Sequence, residues 1–529
     1  MATRYWVTGG TGNWNSTTNW SATTGGASGA SVPGSADAVV LDISSGADTV
    51  TLDISPDIQT LTCTGFTGTL AFGANTISLN STGTIFTGAT TMTVTGTPLI
   101  ILTDNSATLR TLTPTAVTES NSISFRITAG TGSLAITSSQ GVRDLDFTDG
   151  TNPTGFSGSF SNNSPTIYGN LKASTGMTVV AGVGVFTFAA TSGTKTITTA
   201  GVTFDRPFTF DGVGGTWQLQ DALTSGATRT CTLTNGTLDL NNYTLTTGLF
   251  SSASSNTRVL AFGTGKIVLT GSNVTVWTNS TGTGFTYTGT SRIEAPGPAT
   301  SGTRTFNPSS TGTSTQAIAL NFYITGGSDL VTFSVSSRRV NNIDFTGFTG
   351  SFKCSNLTVH GNYTLAASPM VVQAGTEYTT FSNTTSQNIT TNSQTLDFPV
   401  TFSGVSSTFV MQDALTLGST QPLTMTNGTL QLKAGTTSTV GSFVTSGTTL
   451  KYLQSTIPGT QATISQASGT VTTTYLSVRD SNATGGATWD ADDATNVNAG
   501  NNTGWSLPPM IILIGPGITI GSGISLGTV

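Results

Sequence analysis

The sequence predicts an all-β chain wound as a single-stranded, right-handed parallel β-helix, and three observations carry that prediction. Thr makes up 112 of the 529 residues and Gly another 64, against three Glu, so extended backbone and turns are favoured and helix is not. Short alternating runs such as Thr237-Leu238-Asp239-Leu240 and Thr91-Met92-Thr93-Val94 recur between Gly, Asn and Ser, which reads as strands with one buried face. Finally, a long block of the chain is repeated within it.

The repeat is the strongest of the three. Asp221-Ala222-Leu223 recurs as Asp413-Ala414-Leu415, and Asn235-Gly236-Thr237-Leu238 as Asn427-Gly428-Thr429-Leu430. Asp205 and Pro207 recur as Asp397 and Pro399, and Gly169-Asn170 as Gly361-Asn362, all at an offset of 192 residues. Just upstream, Phe125, Ile127 and Gly130 match Phe322, Ile324 and Gly327 at 197. The duplicated blocks are therefore about 122–240 and 319–432. A shorter signature appears three times, as TGFTGTL at 64–70, TGFSGSF at 154–160 and TGFTGSF at 346–352. Its spacings of 90 and 192 approximate whole numbers of solenoid coils of roughly 20–25 residues. The alternative is an array of β-sandwich domains of about 100 residues each. In a solenoid, inward Leu, Ile, Val, Phe and Ala would stack about 4.8 Å apart and outward Thr would form ladders. About 20 such coils would make a rod on the order of 100 Å long.

The open ends of such a stack need covering. Residues 1–45 carry Trp6, Trp14 and Trp20 and read as an N-terminal cap or attachment segment. Residues 46–505 are the expected solenoid, closing with Trp489 and Trp505. Residues 506–529 are apolar, uncharged and broken by Pro and Gly, an appended tail whose Met510–Ile514 run could dock as a strand on a partner subunit. The opening MATRYWVTGG has no basic stretch followed by an apolar one, so no ordinary secretory signal is expected.

Composition narrows function further. Charged residues are 8% of the chain, against about 25% in ordinary soluble domains. The net charge of −6 and the scarcity of Lys and Arg argue against a nucleic-acid partner. No stretch approaches the roughly 20 apolar residues of a spanning helix, so membrane insertion is not expected. Cys63, Cys231 and Cys354 are widely spaced and odd in number, which reads as buried thiols. Asn-x-Thr/Ser triplets such as Asn15-Ser16-Thr17 are expected by chance in so Thr-rich a chain and imply no glycosylation.

Candidate chemistry is thin, and no catalytic, cofactor or metal residues are assigned. His360 is the only histidine and stands where the earlier copy has Tyr168, so it reads as structural. Carboxylate pairs on neighbouring coils could hydrolyse a glycan. However, Asp205/Asp397 and Asp221/Asp413 recur with the duplication, which points to turn or cap roles. A glycan-binding alternative expects exposed aromatics, Trp217 or Trp277 among them, beside paired carboxylates. Asp490, Asp492 and Asp493, near Asp480, could supply oxygens to Ca²⁺, but the spacing lacks the Gly and the distal Glu of an EF-hand loop, and an Asx-turn-rich cap is the simpler reading. Arg338-Arg339 reads as a solvated loop.

The ends carry a resemblance. The N-terminal RYWVTGGTGNWN…NWSATTGGASGASVP resembles structural proteins of tailed bacteriophages. Together with the C-terminal GGATWDADDATNVNAGNNTGW it is also similar to the flanks of bacterial β-helix surface proteins. The resemblance covers roughly 75 residues at the two ends, and the coils between share composition only. It implies a non-enzymatic virion protein on the particle surface: a fibre, spike or capsid-decorating rod. Such a rod would be held to other virion proteins through one terminus, trimeric, and engaged with a host-surface glycan. Two alternatives are a tailspike-like carbohydrate binder or depolymerase and a bacterial adhesin. No catalytic residue carries over.

Overall fold

The computed structural model describes residues 2–7, 9–116, 118–137, 141–162, 164–297, 302–309, 318–334 and 337–509. It is nearly all β, 2% helical, and winds through about 20 turns of parallel β-solenoid. The chain divides into two compact units, residues 1–341 with 345–350, and residues 342–344 with 351–529. The predicted tail, with its Met510–Ile514 run, lies outside the described residues from 510 onward.

In the first unit each coil lays a short strand in register on the one before. Val39 pairs with Leu61, Leu61 with Phe86 and Phe86 with Leu112, so one turn takes 22–26 residues. These four side chains are buried, while the intervening Thr residues are half-exposed, which is the alternation read from the sequence. Aromatic rings stack along the axis: Phe188 on Phe210 with centroids 5.0 Å apart, and Phe250 on Trp277 at 4.7 Å. The second unit repeats the design, with Leu357–Val359, Thr379–Phe381, Val400–Phe402, Pro422–Met425 and Ser442–Thr445 stacked in parallel.

The N-terminal segment contributes rungs of its own. Ala2–Trp6 pairs in parallel with Asp37–Val40, and a short antiparallel return sets Trp6 beside Trp20. Trp6, Trp14 and Trp20 are all buried and meet edge to face, with centroids 5.2 Å and 4.8 Å apart. At the far end of the second unit, Trp489 and Trp505 meet the same way at 4.8 Å.

The thrice-repeated signature has a steric origin. Its Phe66, Phe156 and Phe348 are buried. Two residues on, a Cβ at Gly68, Gly158 or Gly350 would stand 2.1, 1.8 or 2.1 Å from a carbonyl oxygen of the preceding coil. Only glycine lets the chain pass that close. The duplication is equally visible in the backbone, since Ala200/Asn392, Gly201/Ser393, Gly214/Ser406 and Gly236/Gly428 all adopt positive φ at the shared offset.

Candidate functional site

The repeated carboxylates are part of the fold. Asp221 Oδ1 accepts from the Thr199 amide (2.8 Å) and hydroxyl (3.0 Å), and its Oδ2 from the Ala200 amide (2.7 Å). Asp413 does the same one block later, accepting from the Thr391 amide (3.0 Å) and hydroxyl (3.1 Å) and from the Asn392 amide. Each carboxylate thus holds a neighbouring coil's left-handed turn. Asp205 pairs with Arg229 (2.6 Å), and its counterpart Asp397 accepts instead from Gln421 (3.3 Å).

The first unit carries a groove of about 570 Å³ along the outer wall of its coils. Its floor is a set of registered rungs. Leu99 pairs with Ser124, Phe125 with Leu145, Leu145 with Leu171 and Leu171 with Ile197. The outward residues on either side form two ladders. In one, Ser124 Oγ donates to Asp144 Oδ2 (2.8 Å), and the Asn170 amide and side chain donate to Asp144 Oδ1 (2.7 and 2.9 Å). Asn170 Oδ1 in turn accepts from the Thr196 amide (2.8 Å). In the other, Arg126, Asp146 and Lys172 are successive rungs. Arg126 Nε donates to Asp146 Oδ2 (3.0 Å), while Asp146 Oδ1 accepts from the Thr148 amide (2.9 Å) and hydroxyl (2.7 Å). Both carboxylates are therefore occupied by donors of the fold. Arg143 and Lys172 also line the groove, and among the described residues neither charged head has an ion-pair or hydrogen-bond partner. Arg143, Asp144 and Asp146 share one coil, and they went unnoticed in the sequence because Arg126 and Lys172 lie on the coils before and after it, which only the fold stacks against them.

Several expectations are corrected. Trp217 and Trp277 are fully buried and offer no exposed platform. Trp217 lies in phase with inward Leu219, its ring against Gly212, where a Cβ would be 2.4 Å from the indole. Trp277 stacks on Phe250 and donates to Asn279 Oδ1 (3.0 Å). Arg338 belongs to the strand Arg338–Val340 and is buried, donating to Pro308 O (3.1 Å) and Ser334 Oγ (2.9 Å). The pair Arg338-Arg339 is not a solvated loop.

Arg338 is one of a class. Arg110, Arg258, Arg304 and Lys451 are also wholly buried, each at or beside the start of a strand and in phase with its inward residues. Arg258 donates to four carbonyls, those of Asn256, Thr283, Ser252 and Thr281. Lys451 reaches the carbonyls of Gly447, Thr449, Thr474 and Tyr475. Arg304 makes a bidentate pair with buried Asp329 (2.7 and 2.8 Å). These cations collect carbonyls that the irregular corners leave unpaired. Burial lowers the pKa of Arg110, Arg258, Arg338 and Lys451.

His360 is buried, with Nδ1 against the Ser382 carbonyl oxygen. The three cysteines are free and buried. Burial pushes the Cys63 and Cys354 thiols up to about 12 and raises Cys231 further. Asp490 and Asp492 are exposed, and Asp493 accepts from the Thr495 amide (2.8 Å) and hydroxyl, which lowers its pKa. Among the described residues no three His, Cys, Asp or Glu side chains converge on a cation site, and no helix is long and apolar enough to cross a membrane. A scan of protein-family models, a search of curated proteins and a search of solved structures each find no match to this chain.

Proposed function

We propose that this chain is a non-enzymatic structural protein on the surface of a tailed-phage particle, a fibre, spike or capsid decoration that presents a solenoid wall to the surroundings. The observation that carries the non-enzymatic part is the matched use of Asp221 and Asp413. Carboxylates that hold the same backbone turn in both copies are already committed to the fold. Support for the particle comes from the resemblance of the two ends, and the Trp clusters there suit segments that close a coil stack or seat it on another protein. Dense laddered hydrogen bonding favours slow unfolding, which suits a particle exterior. The partners on this reading are other virion proteins at one terminus, further copies of the chain, and a glycan of the host surface.

The test has two arms. Particles purified from the producing culture should contain the chain in fixed proportion to the other particle proteins. Incubation with host-surface polysaccharide should release no reducing ends. Glycan cleavage abolished by Asp144→Asn or Asp146→Asn would overturn the non-enzymatic reading, and absence from particles would overturn the location.

A further inference from the structure

We infer that the groove over residues 97–99, 124–126, 143–146 and 170–172 is a binding subsite for a carboxylated oligosaccharide. The duplication supplies an internal comparison. Ser124, Arg126, Arg143, Asp144, Asp146 and Lys172 of the first copy correspond to Asn321, Tyr323, Asn341, Asn342, Asp344 and Thr364 of the second. What the coil needs is kept: Asn170 Oδ1 accepts from the Thr196 amide at 2.8 Å, and Asn362 Oδ1 from the Asn388 amide at 2.9 Å. What the coil does not need differs, and all three cations belong to the first copy. The charges of Arg143 and Lys172, which no described residue pairs, therefore serve something other than the winding of the chain.

Electrostatics says what is missing. The whole chain has only 18 Lys and Arg, yet three of them line this one groove. Asp144 and Asp146 already accept from Ser124, Asn170, Arg126 and Thr148, so they are satisfied. Arg143 and Lys172 can only donate, and among the described residues their heads are unmatched. Three cations against two carboxylates leave the groove positive on a chain of net charge −6. An anion is the complement, and a carboxylate suits an Arg fork and a Lys ammonium.

Shape and lining choose the carrier. The lining runs from Thr76 through Leu99, Phe125, Leu145 and Lys172 to Thr196, six successive rungs, or about 24 Å at a spacing near 4.8 Å. That length fits a chain molecule lying along the axis better than a free ion, and the volume lies within the roughly 300–1,000 Å³ typical of ligand sites. Thr76 offers a hydroxyl, and Thr97 and Thr196, whose hydroxyls donate to Gly73 O and Asn170 Oδ1, offer acceptors, beside the apolar Pro98 and Leu99, a mixture that matches the polar rim and apolar face of a sugar ring. Nucleic acid fits less well: it needs a denser row of cations and aromatic faces for its bases, and Phe125, the one aromatic in the lining, is buried. The inference stands on the groove alone and holds whether or not the chain belongs to a particle.

Titration calorimetry on the full chain tests it. The probes are oligosaccharides bearing glucuronate, galacturonate or sialic acid, the methyl esters of the same compounds, a single-stranded DNA 12-mer and inorganic phosphate. At least one acidic oligosaccharide should bind and its ester should not. Arg143→Gln and Lys172→Gln should each weaken binding by about tenfold, the scale of one charge-assisted contact. Lys433→Gln, outside the lining, should leave it unchanged. Matching thermal unfolding curves for the variants would show that they fold. Equal binding of the ester, unchanged affinity in folded Arg143→Gln/Lys172→Gln, tighter binding of DNA, or binding of phosphate alone would overturn the inference. So would failure of every acidic oligosaccharide to bind.

Discussion

Removing the Asp221 carboxylate should loosen a turn and leave ligand recognition intact. Asp221→Ala deletes the acceptor for the Thr199 amide, the Thr199 hydroxyl and the Ala200 amide, at 2.8, 3.0 and 2.7 Å. Ala200 has φ +51°, a left-handed conformation that costs a non-glycine residue roughly 1–2 kcal/mol and persists only while something holds it. Hydrogen bonds to a charged group contribute about 1.5–3 kcal/mol each when buried, and less here because Asp221 is half-exposed. Loss of a capping Asp, the nearest measured analogue, costs about 0.5–2 kcal/mol. The expected destabilisation is therefore about 2 kcal/mol, and similar for Asp413→Ala, whose three contacts are equivalent. The two sites share no partner, so the double variant should lose about the sum. Because solenoids open coil by coil, hydrogen exchange is the sharper assay. Peptides covering 199–202 and 391–394 should exchange faster only in the cognate variant. Unchanged exchange and unchanged denaturation midpoints, with loss of some activity toward a glycan, would refute the structural assignment.

Three further outcomes follow from buried groups and close approaches. Arg304→Met should cost about 3–5 kcal/mol, because it strands the Asp329 carboxylate, 1% exposed, without its partner; Arg304→Met/Asp329→Leu should recover much of that in chemical denaturation. Gly236→Ala and Gly428→Ala should each cost at least about 1–2 kcal/mol, since both residues have positive φ and a Cβ would stand 2.3 Å from Gly212 O or 2.7 Å from Gly404 O. The three thiols should resist a disulfide reagent at pH 8 in the native protein and react in full once it is denatured. Their raised folded pKa keeps them protonated where the unfolded chain has already ionised. That stability is fully present below about pH 9 and should be lost as pH rises toward about 12, which denaturation midpoints measured across that range will register.

Much of the fold was legible because a solenoid is a local rule applied repeatedly. Alternation in Thr237-Leu238-Asp239-Leu240 gives buried Leu238 and Leu240, and the 192-residue offset carries turns such as Ala200/Asn392 with it. The turn role of Asp221 and Asp413 followed from the same logic. Arg338 was misread because charge is an unreliable guide to exposure where corners leave carbonyls unpaired. The usable signal was phase: in Arg110-Thr111-Leu112 and Lys451-Tyr452-Leu453 the cation falls two residues before an inward Leu. Trp217 and Trp277, which the glycan-binding alternative would expose, are core: alternation with Leu219 marks Trp217, whereas Trp277 follows buried Val276 at a register shift that alternation does not reveal. The groove was not legible at all. Arg126, Arg143 and Lys172 are 17 to 46 residues apart, and only coil length and register decide that they share a wall.

The most direct test of the central claim is quantitative mass spectrometry on density-purified particles from the producing culture, with cell-envelope fractions analysed in parallel. A structural role on a phage particle predicts the chain in a fixed whole-number ratio to the major particle proteins through successive purification steps, and accessible to surface labelling. Absence from the particles, or enrichment in the bacterial envelope instead, would contradict it.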